Sequence, residues 1–549
     1  MSSKKISWWV IVLIFIALII GFFAGNFLSG KSFARKLFLN PRNKIDVILN
    51  IINEEYVDPV NMKSLTENAI PKIIGELDPH SSYIPSSELG RINENMEGHF
   101  AGVGIESFVL SDTLVVVSMA QGGPAQQAGL LPGDRIVTVN DTLFAGKSFS
   151  QDKILDALRG EVGTTVKIGI FRKGVTDIQN FTLTRDYIPI TTVKASYQVE
   201  PGIGLIKIFD KFSHTTYDEF IKAIAGLLSQ DCQSFIIDLR MNSGGSFDAA
   251  VKICNEFLPK GRNIVYTEGK SFPREYAIAN GSGTLQNNPI VILMDQVSAS
   301  ASEIVAGAIQ DNDRGLIIGR RSFGKGLVQN QIELSDGSAF RLTIARYYTP
   351  SGRNIQRKYT LGNADEYNQQ WFNRFSNGEE FHENGAAVDS TLLYYTLNGR
   401  EVYGGGGIMP DVFVPLDTSE LTSYYIHLEN KNIFNQFACE YTDANRDKLN
   451  EFKTYESMLE YLKTQPILYE IVDFATVRKV KPRTALINIS ANYILNTAYA
   501  NILQNFFGEE AFFITYMNRD KDVKKAVEIL RKGQSYPDFS ARLRETAPK

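Results

Sequence analysis

The residues able to do chemistry are concentrated between Val297 and Gln329, in VSASASEIVAGAIQDNDRGLIIGRRSFGKGLVQ. Ser298, Ser300 and Ser302 occupy alternate positions ahead of a small-residue apolar run, Glu303 to Gln310. Lys325 follows Ser300 by 25 residues and stands between Gly324 and Gly326. Ser300 falls where an apolar strand, Pro289 to Met294, gives way to a helix. Amide donors at a helix N-terminus stabilise negative charge. A tetrahedral oxyanion needs such donors, and losing one typically costs ~3–4 kcal/mol. The Ala301 N–H is the natural first donor, and Gly244 or Gly245, after the apolar strand Ser234 to Leu239, supplies the second. A free lysine, with a pKa of about 10.4, is no base at neutral pH. Desolvation lowers that value. Lys325 lies near Phe323, Leu327 and Val328 with no adjacent acid, which is the setting a lysine base requires.

Plainer readings compete. Serines before helices are mostly caps, the role expected of Ser298 and Ser302. A Gly-Lys-Gly turn is commonly only a turn. Gly319 to Lys325 fits the G-x-x-x-x-G-K spacing of a phosphate loop, but Gly326 replaces the required Ser or Thr and a strand-like run follows. No H-E-x-x-H occurs and the five histidines are scattered, so neither a zinc peptidase nor any other metal site is expected. Asp78 and His80 are close, but Asp78-Pro79 is a turn signal and no second histidine lies nearby.

Several elements must position these residues, and 549 residues are too many for one ordinary core. An apolar fraction of 44% fits a mostly folded chain, and a net charge of −4 offers no footprint for nucleic acid. Cys232, Cys254 and Cys439 form neither a metal pattern nor a disulfide framework. Residues 1–30 hold an apolar run, Trp8 to Gly25, long enough to span a bilayer and without a good cleavage site. A retained membrane anchor is expected, with a cleaved signal peptide as the alternative. Lys4 and Lys5 before it nearly balance Lys31, Arg35 and Lys36 after it, so charge does not set its orientation. Residues 41–97 read as helical, a spacer or dimerisation arm that leaves a homo-oligomer open. Residues 187–416 alternate strands with helices, which predicts a layered, multidomain α/β architecture with a largely parallel sheet. Residues 357–403 interrupt it with a polar, aromatic stretch, read as an insertion or lid. Residues 417–549 read as a helical C-terminal region without a motif.

Residues 98–186 resemble a PDZ domain, in GPAQQAGL (Gly123–Leu130) and GDRI (Gly133–Ile136). The resemblance implies a β-barrel-like module that adds a peptide as a strand, with backbone N–H groups of Gly102, Val103, Gly104 and Ile105 capturing its terminal carboxylate.

The whole resembles the C-terminal processing peptidases, tail-specific serine peptidases of the S41 type. The matching segments are LDPHSSYIPSSE, the PDZ stretch, DLRMNSGG, SASASEIVAGAIQDNDR, FGKGLVQ, YYTPSGRNIQ and GIMPDV, in the family's order. The resemblance implies Ser300 as nucleophile, Lys325 as base and Gln329 as the residue orienting it. It also implies Ala301 with Gly244 or Gly245 as oxyanion hole, and Arg135 as coupling residue. No cofactor is implied. The expected partners are proteins with exposed C-terminal tails, and the body is expected to be periplasmic or extracytoplasmic. The family runs from the SGRxIQ strand to the GIxPDV turn in a few residues, whereas here about fifty intervene. A silent PDZ scaffold that only binds tails is the alternative.

Overall fold

The computed structural model describes residues 8–28, 44–110, 113–146, 151–385 and 388–536. Lys4, Lys5, Lys31, Arg35 and Lys36, which bear on orientation, lie outside them. The chain divides into two compact units, Met1–Ile74 and Gly75–Lys549.

The first unit is helical. Trp8–Leu28 is a 21-residue helix with exposed apolar side chains, including Leu13, Phe15, Leu18 and Phe22. Its described side chains are those of residues 8–10 and 12–22. Among the described residues, no helix is long and apolar enough to cross a membrane. Lys44–Glu55 and Met62–Gly75 follow, neither with a buried residue.

The core of the second unit is a six-stranded sheet. Its order is Val193–Glu200, Ile203–Ile208, Ser234–Asp238, Ile290–Met294, Leu316–Gly319 and Val412–Phe413. Only the first pairing is antiparallel. Both faces are buried, so the strands read as continuous apolar runs. Side chains alternate between two cores. Phe235, Ile237, Ile290, Ile292 and Ile317 meet helices Thr216–Leu228, Phe247–Phe257 and Ala301–Asp311. Ile236, Val291, Leu293 and Ile318 meet Met517, Val523, Ala526 and Leu530. The helix Lys521–Arg531 therefore closes this six-stranded sheet rather than belonging only to a separate extension. Its apolar residues recur every three or four positions, the stripe a sheet-covering helix needs. The other C-terminal helices, Ser423–Asn430 to Thr484–Met517, form their own core.

A second, antiparallel sheet carries the lysine segment. Ala339–Tyr348 pairs with Leu327–Glu333, Asn263–Glu268 and Ser82–Ile84. The PDZ region is a sheet ordered Ile105–Leu110, Thr113–Met119, Arg135–Val139, Thr165–Phe171 and Gln179–Thr184, with the Gln151–Leu158 helix. His99–Gly102 pairs antiparallel with Asp186–Pro189, which ties entry to exit.

The 357–403 stretch is not a lid on the Ser300 cleft. It forms a helix, Ala364–Ser376, that packs on the Lys325 turn, and none of its described residues lines the cleft. Arg357 stacks its guanidinium 4.4 Å from the Phe323 ring and 4.0 Å from the Tyr367 ring. Arg374 donates to Ser322 O (2.8 Å) and Arg321 O (2.7 Å).

Candidate active site

Ser300, Ala301, Gly244, Gly245, Lys325 and Gln329 line one cleft of about 670 Å³. Three elements bring them there. Ser300 caps the Ala301–Asp311 helix at the end of the Ile290–Met294 strand. Its backbone sits at φ 53°, ψ −111°. A non-glycine residue with positive φ is held there by its surroundings at a cost of ~1–3 kcal/mol, and such strain clusters at functional sites.

The surroundings are specific. Asn242 accepts through Oδ1 from Gly244 N and from Ser302 Oγ, both at 2.9 Å. Ala299 N donates to Asn242 O (3.0 Å). The glycine loop and the serine loop are thereby stitched together. A Cβ on Gly244 would stand 2.6 Å from Ser300 Cβ, and one on Gly245 2.1 Å from Phe212 O, so the backbone approach requires glycine at both positions.

Ser298 and Ser302 are not caps. Ser298 Oγ donates to Leu239 O (2.9 Å) and accepts from Asp295 N (3.0 Å). Ser302 Oγ turns to Asn242. Both serines face the preceding strand loop, because the chain must fold back there to present Ser300.

Lys325 Nζ donates to Gln329 Oε1 (2.9 Å), and Gln329 Nε2 donates to His80 O (2.6 Å). The structure draws no direct hydrogen bond between Ser300 Oγ and Lys325 Nζ, which share the cleft. Burial, then the Arg341 guanidinium, hold the Lys325 ammonium below its ordinary range. Tyr347 OH reaches both Lys325 O (2.5 Å) and Ser300 O (3.1 Å), tying the two backbones together.

The expectation of no acid near Lys325 is corrected by Glu303. This buried carboxylate lies under the turn and attracts the ammonium. Oε1 accepts from Ser322 Oγ (2.5 Å) and Gly324 N (2.7 Å); Oε2 accepts from Ser300 N (2.8 Å) and Lys325 N (2.9 Å). Burial pushes the carboxyl up to about 7 against these four donors. Glu303 locks the Ser300 loop and the Lys325 turn to one another. The S-x-x-E spacing from Ser300 to Glu303 is the signal that could have found it.

His80 contributes its backbone carbonyl. Its ring sits against Tyr367, with Nε2 3.0 Å from the phenol oxygen, and burial with the nearby Lys325 charge pushes it down to about 4. Asp78 holds this turn by accepting from His80 N, Ser81 N and Ser81 Oγ.

Gly102, Val103, Gly104 and Ile105 line a separate groove of about 220 Å³, between the Ile105–Leu110 strand and the Gln151–Leu158 helix. Arg135 lines neither groove nor cleft; its charge acts on Cys439 in the C-terminal helices. Its strand is separated from Ile105–Leu110 in the sheet by Thr113–Met119. Arg159 touches both regions. It lines the groove, lies 5.1 Å from the Phe100 ring, and pairs at 3.1 Å with Glu94 of the Ser86–Glu97 helix, which borders the Ser300 cleft. No motif marks it in sequence. Among the described residues no cluster of His, Cys, Asp and Glu could hold a metal ion.

Residues 202–364 match the model of peptidase family S41, residues 101–183 match a PDZ domain, and residues 424–508 match a family of unknown function (DUF8443). The chain is 36% identical over 352 residues to a carboxy-terminal-processing protease of Bartonella bacilliformis, covering 62% of this chain and 80% of the relative. It is 35% identical over 316 residues to a carboxyl-terminal-processing protease of Synechocystis sp., covering 56% and 72%. The solved photosystem II D1 C-terminal processing protease is 27% identical, covering 68% of this chain and 88% of that one, with a TM-score of 0.35. The chain thus belongs to peptidase family S41, as a serine-type carboxy-terminal-processing protease with a PDZ domain.

Proposed function

We propose that Ser300, Lys325 and Gln329 are the catalytic triad of an endopeptidase that cuts proteins presented by their C-terminal tails. The observation that carries this reading is Lys325. It is desolvated, its Nζ is hydrogen-bonded to a neutral amide, and it shares a cleft with a strained serine at a helix N-terminus. Neutral Lys325 takes the Ser300 Oγ proton as Oγ attacks the scissile carbonyl carbon. The oxyanion is held by Ala301 N–H and one glycine N–H. Gly244 spends its N–H on Asn242, which favours Gly245. The Lys325 ammonium protonates the leaving amine, and a water deprotonated by Lys325 then hydrolyses the acyl-enzyme.

The tail would enter the PDZ groove as an added strand beside Ile105–Leu110, its carboxylate on the Gly102–Ile105 loop. The Trp8–Gly25 run would anchor the chain, with the body extracytoplasmic; extraction of membranes at alkaline pH, with and without residues 1–30, tests this. The alternative, a silent scaffold, retains tail binding without cleavage. Digestion of a tail-bearing protein by wild type, Ser300→Ala and Lys325→Ala separates the two. Cleavage by wild type alone supports the triad. Undiminished cleavage by either variant refutes it, and binding without cleavage by wild type supports the scaffold.

A further inference from the structure

Lys325 and Arg341 both line the Ser300 cleft, and glutamines of one strand hold them. Gln329 and Gln331 alternate in Leu327–Glu333, the spacing that puts side chains on one face of a sheet. Gln329 takes Lys325 Nζ, and Gln331 Oε1 accepts from Arg341 Nε and Nη2, both at 3.2 Å. Gln331 is fixed in turn, because its Nε2 donates to Asn93 Oδ1 (2.9 Å) of the Ser86–Glu97 helix. Arg341 itself sits in Ala339–Tyr348, opposite Gln331 on one side and Ser82 on the other. A side chain mounted on an inner strand and steered by an anchored amide is aimed rather than free to sweep the surface.

The amide orients that guanidinium without neutralising it. Among the described residues no carboxylate pairs with Arg341, and burial alone holds it below its ordinary range. Its Nη1 has no hydrogen-bond partner among the described residues, yet it is not one of the buried unpaired atoms, so it stays accessible. The cleft's other charges are answered. Glu97, the one carboxylate among its described lining residues, stands 3.8 Å from His99, and Lys211 lies 3.3 Å from Asp210. Arg341 is near enough to Lys325 for its charge to act on the ammonium. A cleft with an unanswered charge draws a ligand of the opposite sign. Guanidinium N–H groups make strong, directional bonds to carboxylates.

We propose that Arg341 determines specificity by binding a carboxylate of the substrate chain within the Ser300 cleft, either an Asp or Glu side chain beside the cut or the terminal carboxylate of a short tail. The inference rests on the triad reading in placing the cut at Ser300.

Peptide pairs with Glu or Gln at one position, scanned along both sides of the cleavage site, test it. Each pair is made with a free and with an amidated C-terminus. At one position, kcat/KM should be about tenfold higher for Glu than for Gln. A ratio within a pair is blind to general loss of activity and to any change in the Lys325 proton. Arg341→Gln should bring the two peptides to parity, and Gln331→Leu, which removes the anchor, should lower the ratio. A preference for the free over the amidated terminus, lost in Arg341→Gln, identifies the terminal carboxylate instead. Parity in wild type at every position and at both termini overturns the proposal, whichever variants fold. So does a preference left unchanged in Arg341→Gln, or in Gln331→Leu should Arg341→Gln not fold. Cleavage surviving in Ser300→Ala overturns the triad and this proposal with it, whereas cleavage lost there with parity in wild type overturns this proposal alone.

Discussion

At the scale of single residues, Lys325 and Glu303 are a charge pair with opposite tasks. Burial favours neutral Lys325, and the carboxylate beneath it limits how far that goes. In the proposed triad the neutral amine is the active form, so kcat/KM should rise with pH along a limb whose midpoint lies below the ordinary lysine value of 10.5. A pH–rate profile measures it, and Lys325→Arg should show no such limb. Glu303→Gln places an amide N–H among four donors, leaving some unpaired. A loss of about 2 kcal/mol of stability is expected by urea denaturation. That Ser300, Lys325 and the glycine pair belong together was legible, from their types, their spacing and the family resemblance, and the structure lines one cleft with them. His80 was not, because its contribution is a carbonyl, and every residue has one. Arg159 was not, because its meaning lies in Glu94, far away in sequence and on another element.

At the scale of elements, the decisive piece is the 357–403 insertion. Its sequence is polar, which reads as a surface stretch. The structure buries Tyr367 and Arg374 from it, because two arginine stacks and a set of backbone carbonyls on the Lys325 turn accept them. Such a docking surface belongs to another part of the chain, so local periodicity does not reveal it. Arg374→Met should therefore slow turnover without touching the cleft. A fall in kcat on the order of tenfold, with little change in KM for a short peptide, is expected from steady-state kinetics. The alternation of strands and helices around the parallel sheet was legible, since doubly buried strands announce themselves as apolar runs.

At the scale of the molecule, the peptidase sheet is completed by the far end of the chain. Lys521–Arg531 buries Val523, Val527, Ile529 and Leu530 on it. At about 1.5–3 kcal/mol per side chain, these together rival the ~5–15 kcal/mol net stability of a domain. Deleting residues 520–536 should leave an aggregating protein, measured by size-exclusion chromatography. The helix is also pinned by charge. Arg240 meets Asp238, Asp520 and Asp522, and Arg320 meets Asp522. Asp522→Asn should cost about 3 kcal/mol by urea denaturation. Burial alone would raise Asp238, but Arg240 and Lys207 hold its carboxyl far below the usual range. A depressed carboxyl stabilises the fold above the unfolded value of about 3.9 and loses that contribution as pH falls below it. Acid unfolding should therefore begin in that window. The long-range partnership was invisible to a reading that assigned everything after residue 417 to one helical extension.

The hydrogen bond from Gln329 to the His80 carbonyl sets an order of events in the making of the enzyme. The orienting amide receives its anchor only after the segment around residue 80 has docked beside Ala339–Tyr348, some 250 residues away along the chain. Gln329 lacks this anchor while that strand is unpaired, so competence requires the long-range pairing. The sequence separation itself thereby ties competence to the completed fold.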